Sequence, residues 1–235
     1  MKEHPILFNS AMVRALLAGE KTQTRRVVKW PESYAPDEST MPGIIERRPH
    51  SLTERCPYGQ PGDRLWVRET FYAWGRWQTR YSTKKGRDEW HFIDMTLESG
   101  RQYRFAADMG DNGPRERGGI TPQWWKRPAI FMPRAAIRIL LEVVSVRVER
   151  LQDISEADAQ SEGARIFSEI RVGMPFARPN RWSMESPENT DQCFSSAKWA
   201  FAKYFCKVAS KKPYDFTPWD ANPWVWVVEF KRVTP

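Results

Sequence analysis

The sequence predicts an α+β fold: a mixed β-barrel, closed or partly closed, with a few flanking helices and long insertions. Three observations lead there. Stretches with β-forming composition recur along the whole chain. The clearest is 136–150, where Val144, Val146 and Val148 alternate with Ser145, Arg147 and Glu149. Helical patterns are fewer and shorter. The 235 residues exceed what a small barrel needs, which predicts one domain, 1–235, with insertions near 30–58, 73–100, 110–134 and 164–192.

Each element has its own signal. Residues 10–18 read as a helix capped by Asn9 or Ser10, with Val13, Leu16 and Leu17 on one face and Gly19 as the stop. Residues 24–28 read as extended. Residues 30–58 lack periodicity and read as a loop or insertion. Pro61-Gly62-Asp63 marks a turn into a strand at 64–72. Residues 73–100 read as a hairpin or irregular insertion, and 102–107 as a strand followed by a Gly-rich turn at 110–119. Residues 118–134 mix Trp124, Trp125, Lys126 and Arg127 with Pro122, Pro128 and Pro133, and read as a proline-stiffened loop. Residues 154–163 predict a helix with a capping box from Ser155 and Asp158, ended by Gly163. Residues 173–190 have turn composition. A longer helix follows at 193–210, and a final strand at 224–232.

Composition narrows the function classes. Hydrophobic residues make up 40% and charged residues 28%, which excludes a disordered chain. No apolar run approaches the roughly 18–20 residues of a membrane-spanning helix. Residues 1–10 show no leader pattern, and Cys56, Cys193 and Cys206 are too sparse for a disulfide framework. A reducing, cytoplasmic setting is expected. The net charge of +8 and the 12 tryptophans favour a polyanionic, base-bearing partner. The positive excess peaks at 101–150, with 10 basic against 5 acidic side chains.

Phosphate-binding, dinucleotide and serine-hydrolase motifs are absent, and His4, His50 and His91 lack metal-ligand spacing. Neither a metal nor a cofactor is expected. The informative segment is Gly19-Glu20-Lys21-Thr22-Gln23-Thr24-Arg25-Arg26. In a strand, Thr22, Thr24 and Arg26 share one face, and Lys21 is expected to fold over it from the preceding turn. A desolvated lysine amine can take the proton that makes a threonine hydroxyl nucleophilic. The same segment also fits a solvated basic strand end. Glu162 stands out separately. It lies at the negative end of its helix and four residues after Asp158, an arrangement that raises a carboxylate toward the acid–base range.

These residues resemble a known family. Ile6-Leu7-Phe8 followed by residues 16–26 is similar to the opening G-x-K-T-x-T-x-R signature of ASCH domains, a branch of the PUA-like β-barrel superfamily. Residues 61–65, 154–163 and 226–230 resemble that family's turn, acidic helix and closing strand. Trp66-Val67-Arg68-Glu69 and residues 219–224 are similar to a larger form carried by tailed phages and prophages. The resemblance implies a PUA-like barrel. One branch of the family hydrolyses N4-acetylcytidine with a lysine, a threonine and a glutamate, which fall on Lys21, Thr24 and Glu162.

The resemblance therefore implies an amidohydrolase acting on an acylated pyrimidine nucleoside or base. Thr24 is then the nucleophile, Lys21 the base and Glu162 the orienting group. Arg26 and Arg68 hold an oxygen or phosphate, Trp66 or Trp124 stacks the base, and Glu69 joins the substrate-binding set. The expected partner is a modified nucleoside or nucleic acid, RNA ahead of DNA. The competing expectations are a non-catalytic nucleic-acid-binding module, a ribonuclease and a phage structural protein.

Overall fold

The structure, a computed structural model, describes residues 1–29, 53–109, 121–167, 181–185, 193–210 and 217–234. The expected loop or insertion at 30–58 is described only from residue 53. The Gly-rich turn at 110–119 and most of the turn segment at 173–190 lie outside the described residues. Strands and helices are numbered here in chain order. The strands are β1 (Glu3–Leu7), β2 (Gln23–Val27), β3 (Arg64–Arg68), β4 (Phe71–Ser82), β5 (Arg87–Asp94), β6 (Arg104–Phe105), β7 (Gln123–Arg127), β8 (Leu140–Arg150), β9 (Arg165–Phe167), β10 (Arg181–Ser183) and β11 (Trp224–Val233). The helices are α1 (Ser10–Leu17), α2 (Ala106–Met109), α3 (Glu156–Ser161), α4 (Ala197–Ser210) and α5 (Thr217–Asp220). The chain is thus α+β, mostly sheet. No helix among the described residues is long and apolar enough to cross a membrane.

Backbone packing divides the chain into two compact units. The first comprises residues 1–6, 14–66 and 139–235, and the second 7–13 and 67–138. The second contains two of the segments expected as insertions, 73–100 and 110–134.

The main sheet has the order β1-β3-β8-β11-β2. β11 is its spine, antiparallel to β2 from Val225↔Val27 to Glu229↔Gln23 and to β8 along its whole length. Val225, Val227 and Val228 on β11 and Leu140, Leu141 and Val143 on β8 are all buried in the core. The expected alternation on β8 has a different consequence. Val144 is exposed and Val146 and Val148 are half-buried, while Ser145, Arg147 and Glu149 on the opposite face belong to a partly exposed polar network. The closed barrel is not found among the described residues. β1 and β2 end the sheet, and β4 to β7 pair among themselves instead of closing it.

In the second unit β4 is central. It pairs with β5 from Gly75↔Asp94 to Ser82↔Arg87, and with β6 and β7 along its first half. The segment 73–100 is therefore a true hairpin. Gly75 is needed inside it, since a Cβ there would run into the Ile93 carbonyl oxygen. The expected single strand at 64–72 is two strands, broken at Glu69 and Thr70. The Glu69 N–H turns to the Met132 sulfur, and the Thr70 carbonyl accepts from Ala106. The strand expected at 102–107 shrinks to β6 before α2. The loop expected at 118–134 contains β7, because Trp124 and Trp125 are strong strand formers and the flanking prolines merely bound it. The helix expected from residue 193 begins at Ala197. Phe194 instead bridges to Trp182.

Candidate functional site

The site begins where α1 ends. Asn9 caps α1 through the Met12 N–H at 3.1 Å. Gly19 then reverses the chain, and the N–H groups of Glu20 and Lys21 return to the Ala15 carbonyl. Thr22 donates its N–H to the Ser161 carbonyl at 2.8 Å and accepts from Phe230 at 2.9 Å. The turn carrying Lys21 is thus pinned between the end of α3 and β11.

Helix α3 delivers Glu162. Both arms of the expected capping box are present: Ser155 accepts from the Asp158 N–H, and Asp158 accepts from the Ser155 N–H. Glu162 is the C-terminal cap, and Gly163 follows with φ +108°. A Cβ at Gly163 would stand 3.1 Å from the Ala15 Cβ and 3.7 Å from the Lys21 Cβ. Only glycine both adopts this backbone and lets α3 end this close to Lys21.

Lys21 and Glu162 meet. The Lys21 Nζ lies 2.7 Å from Glu162 Oε2, and the side chains are 0% and 3% exposed. Nζ also donates to the Glu162 carbonyl at 2.9 Å and to the Gln23 carbonyl at 2.7 Å. Three acceptors match the three N–H groups of an ammonium. The lysine also serves as the cation that the C-terminus of α3 calls for, which removes the dipole cost read from the sequence. Burial holds the Lys21 amine below its ordinary value of 10.5, with the pull of Glu162 opposing and the charges of Arg26 and Arg25 assisting.

Glu162 is shared. Its other oxygen accepts from Arg25 Nη1 at 3.4 Å. Arg25 also donates through Nε to Glu149 at 3.0 Å, through Nη2 to the same oxygen, and through Nη1 to Gln23 at 2.8 Å. Asp158 lies 3.4 Å from Arg25 and accepts from Gln23 and Arg147, each at 3.2 Å. Arg147 continues to Glu149 at 3.1 Å and to Glu229, which also accepts from Ser145 at 2.8 Å. Burial raises the Asp158 carboxyl, but the hydrogen bonds from Ser155 and Gln23 outweigh it and hold the carboxyl below 3.8.

Sequence reasoning missed most of this network. Its signal was the odd-numbered face of the strand, where Lys21, Gln23 and Arg25 meet the polar positions of β8 and the acidic face of α3. Thr24 is 1% exposed and Arg26 half-buried, both on the face of β2 opposite Gln23 and Arg25. Thr22 precedes the strand and is exposed, so it does not join them. Lys21 was expected on that face too, but its ammonium reaches the other. It rests on the Gln23 carbonyl, which is the peptide bond leading into Thr24. Among the described residues no side-chain hydrogen bond joins Thr24 to Lys21 or Glu162.

The other expected residues fall as follows. Trp66 is half-buried on β3, in register with Leu140. Arg68, Glu69 and Trp124 belong to the second unit. Arg68 donates to the Ile130 carbonyl. Glu69, 1% exposed, holds Arg138 in a two-pronged pair at 2.8 and 2.9 Å, and Arg138 also reaches Asp108. Burial pushes the Glu69 carboxyl up against the opposing pull of Arg138. Trp124 packs edge-on to Trp74 with ring centroids 5.7 Å apart.

No protein-family model, curated protein or solved structure matches this chain.

Proposed function

We propose that this chain is an amidohydrolase that removes an acyl group from the exocyclic nitrogen of a modified pyrimidine nucleoside or base, N4-acetylcytidine being the type of substrate. It is read as an elaborated ASCH domain of the PUA-like superfamily. The observation that supports this most is the Lys21–Glu162 pair, buried at 2.7 Å, with Lys21 three residues before Thr24. A fully buried lysine costs several kcal/mol of desolvation, so an apolar residue would serve stability as well. Burial also supplies what a base needs, a lysine that gives up its proton more readily than in water.

The reaction balances as follows. Lys21 Nζ bonds to the Gln23 carbonyl and not to the Thr24 hydroxyl, so the step requires the neutral amine to turn to the Thr24 side. There it takes the hydroxyl proton while the Thr24 oxygen bonds to the acyl carbon. The carbon–nitrogen bond then breaks, and Lys21 returns the proton to the departing cytosine amine. Water, losing a proton to Lys21, attacks the threonine ester. The acid leaves and the Thr24 oxygen is reprotonated. Glu162 orients the Lys21 amine throughout, and Arg25 keeps Glu162 in place. Arg26, on the face that carries Thr24, offers a charge to the oxyanion.

The test is hydrolysis of N4-acetylcytidine and related acylated cytidines, followed by chromatography. The expected result is release of cytidine and acetate, with kcat lowered at least ~100-fold in Lys21→Ala, Thr24→Val and Glu162→Gln. The pH profile of kcat/KM should rise toward alkaline pH as the neutral amine becomes populated, with its midpoint below 10.5. Equal inactivity of wild type and Lys21→Ala across the panel sinks the reading.

A further inference from the structure

Unit two carries most of the charge. Its segments, 7–13 and 67–138, hold 14 basic and 8 acidic side chains, a net +6 out of the +8 of the whole chain. The two faces of its sheet differ. One bears Phe71 and Ala73, which form a core with Met132 and Ala136 and take Phe92 and Phe105 against it. Trp125 and Trp77 lie on this face as well, 6.0 Å apart.

The opposite face carries Trp74 and Arg76 on β4, Trp124 and Lys126 on β7, and Arg104 on β6. It is not an apolar face. Trp74 and Trp124, both half-buried, stand side by side at 5.7 Å. The Arg101 guanidinium lies over Trp74 at 4.2 Å from the ring centroid, and that of Arg104 over Trp124 at 4.3 Å. Two rings and two cations thus form a row.

Four carboxylates of this unit are engaged elsewhere. Glu69 and Asp108 hold Arg138, Glu89 takes Lys85, and Asp94 accepts from Thr96 and Tyr103. Among the described residues none pairs with Arg76, Arg101 or Arg104. Arg101 makes one long hydrogen bond to the Ser99 carbonyl, at 3.4 Å. A guanidinium held against a ring keeps N–H groups for an anion, because the ring takes none of them.

We infer that this face of β4, β6 and β7 binds a single strand of nucleic acid, with Arg101 and Arg104 turning from the rings to phosphates, bases taking their places on Trp74 and Trp124, and a further phosphate on Arg76. The alternation matches that ligand, since aromatic faces take bases without regard to sequence and the cations track the backbone. A duplex hides its bases and offers these rings nothing. The inference rests on residues separate from Lys21 and Glu162, so it stands or falls apart from the hydrolase reading.

The experiment is fluorescence anisotropy with a labelled short oligouridylate, an unstructured single strand. Binding is expected at about 50 mM salt and should weaken steeply by about 200 mM. Trp124→Leu should weaken it about tenfold, the scale of one lost base stack. Arg101→Gln with Arg104→Gln should lower the slope of log affinity against log salt by about 1.4, for two lost phosphate contacts. Lys207→Gln with Lys231→Gln should keep wild-type affinity. If Trp124→Leu disturbs the sheet by circular dichroism, Arg104→Gln alone carries the test, since that side chain is exposed. The inference is overturned by absent binding at low salt or by wild-type affinity and slope in the arginine variants. Tighter binding of a duplex of equal length also overturns it, as does loss of affinity in Lys207→Gln with Lys231→Gln as large as in the arginine variants.

Discussion

Lys21 commits every N–H of its ammonium inside the protein, and that decides how its substitution behaves. Removing it strands Glu162 in the core with only the 3.4 Å contact to Arg25. Lys21→Met should therefore destabilise by about 3 kcal/mol, at the low end for a broken buried pair because Arg25 remains. Lys21→Met with Glu162→Leu should recover most of that loss, since no uncompensated charge stays behind, yet remain inactive. Urea unfolding midpoints of the two variants, set beside hydrolysis rates, check this. A double variant as unstable as the single one means that the pair is there for stability. The pH dependence has a definite sign. The native amine titrates below 10.5, so between its lowered value and 10.5 the unfolded chain binds more protons. Stability then rises with pH across that window. Lys21→Met should abolish this rise.

Helix α3 is short, and its value lies in where it stops. Gly163 at φ +108° turns the chain so that the Glu162 carboxylate and carbonyl both face Lys21. Gly163→Ala adds a left-handed strain of about 1–3 kcal/mol and pushes a methyl against Ala15. The variant should lose that much stability in denaturant and slow hydrolysis by shifting Glu162 off Lys21. Unchanged stability would mean that the turn relaxes freely. This element was readable in advance because its signals are local: Ser155 and Asp158 for the start, Gly163 for the stop. The α1 cap at Asn9 was equally local. Sheet closure was not. Nothing in the residues of β4 says whether they pair with β3's neighbours or with β5, β6 and β7, because pairing depends on contacts distant in sequence. Strand β7 was hidden by its flanking prolines, and the Arg25 network by its dependence on Glu149 and Asp158, which are distant in sequence. Lys21 and Glu162 emerged from a turn lysine and an awkward carboxylate. The acids that complete the network, Glu149 and Glu229, became visible only once β8 and β11 paired.

At the scale of the molecule, the +8 divides by environment as well as by amount. In the first unit, two exposed lysines stand beside carboxylates, Lys207 with Glu185 at 2.7 Å and Lys231 with Glu142 at 2.8 Å. A neighbouring anion cancels most of the field such a cation presents to a polyanion. Arg76, Arg101 and Arg104 in the second unit have no carboxylate partner among the described residues, so their fields add. Removing the same charge from the two places should therefore differ in effect. Lys207→Gln with Lys231→Gln should leave the salt dependence of oligouridylate binding within error of wild type. Arg101→Gln with Arg104→Gln, an equal change in net charge, should flatten it by about 1.4 in log–log slope. Ion-exchange retention, which reads total charge, should fall similarly in both pairs. If the lysine pair flattens the slope as much as the arginine pair, total charge governs binding, and the row of tryptophans and arginines has no special part in it.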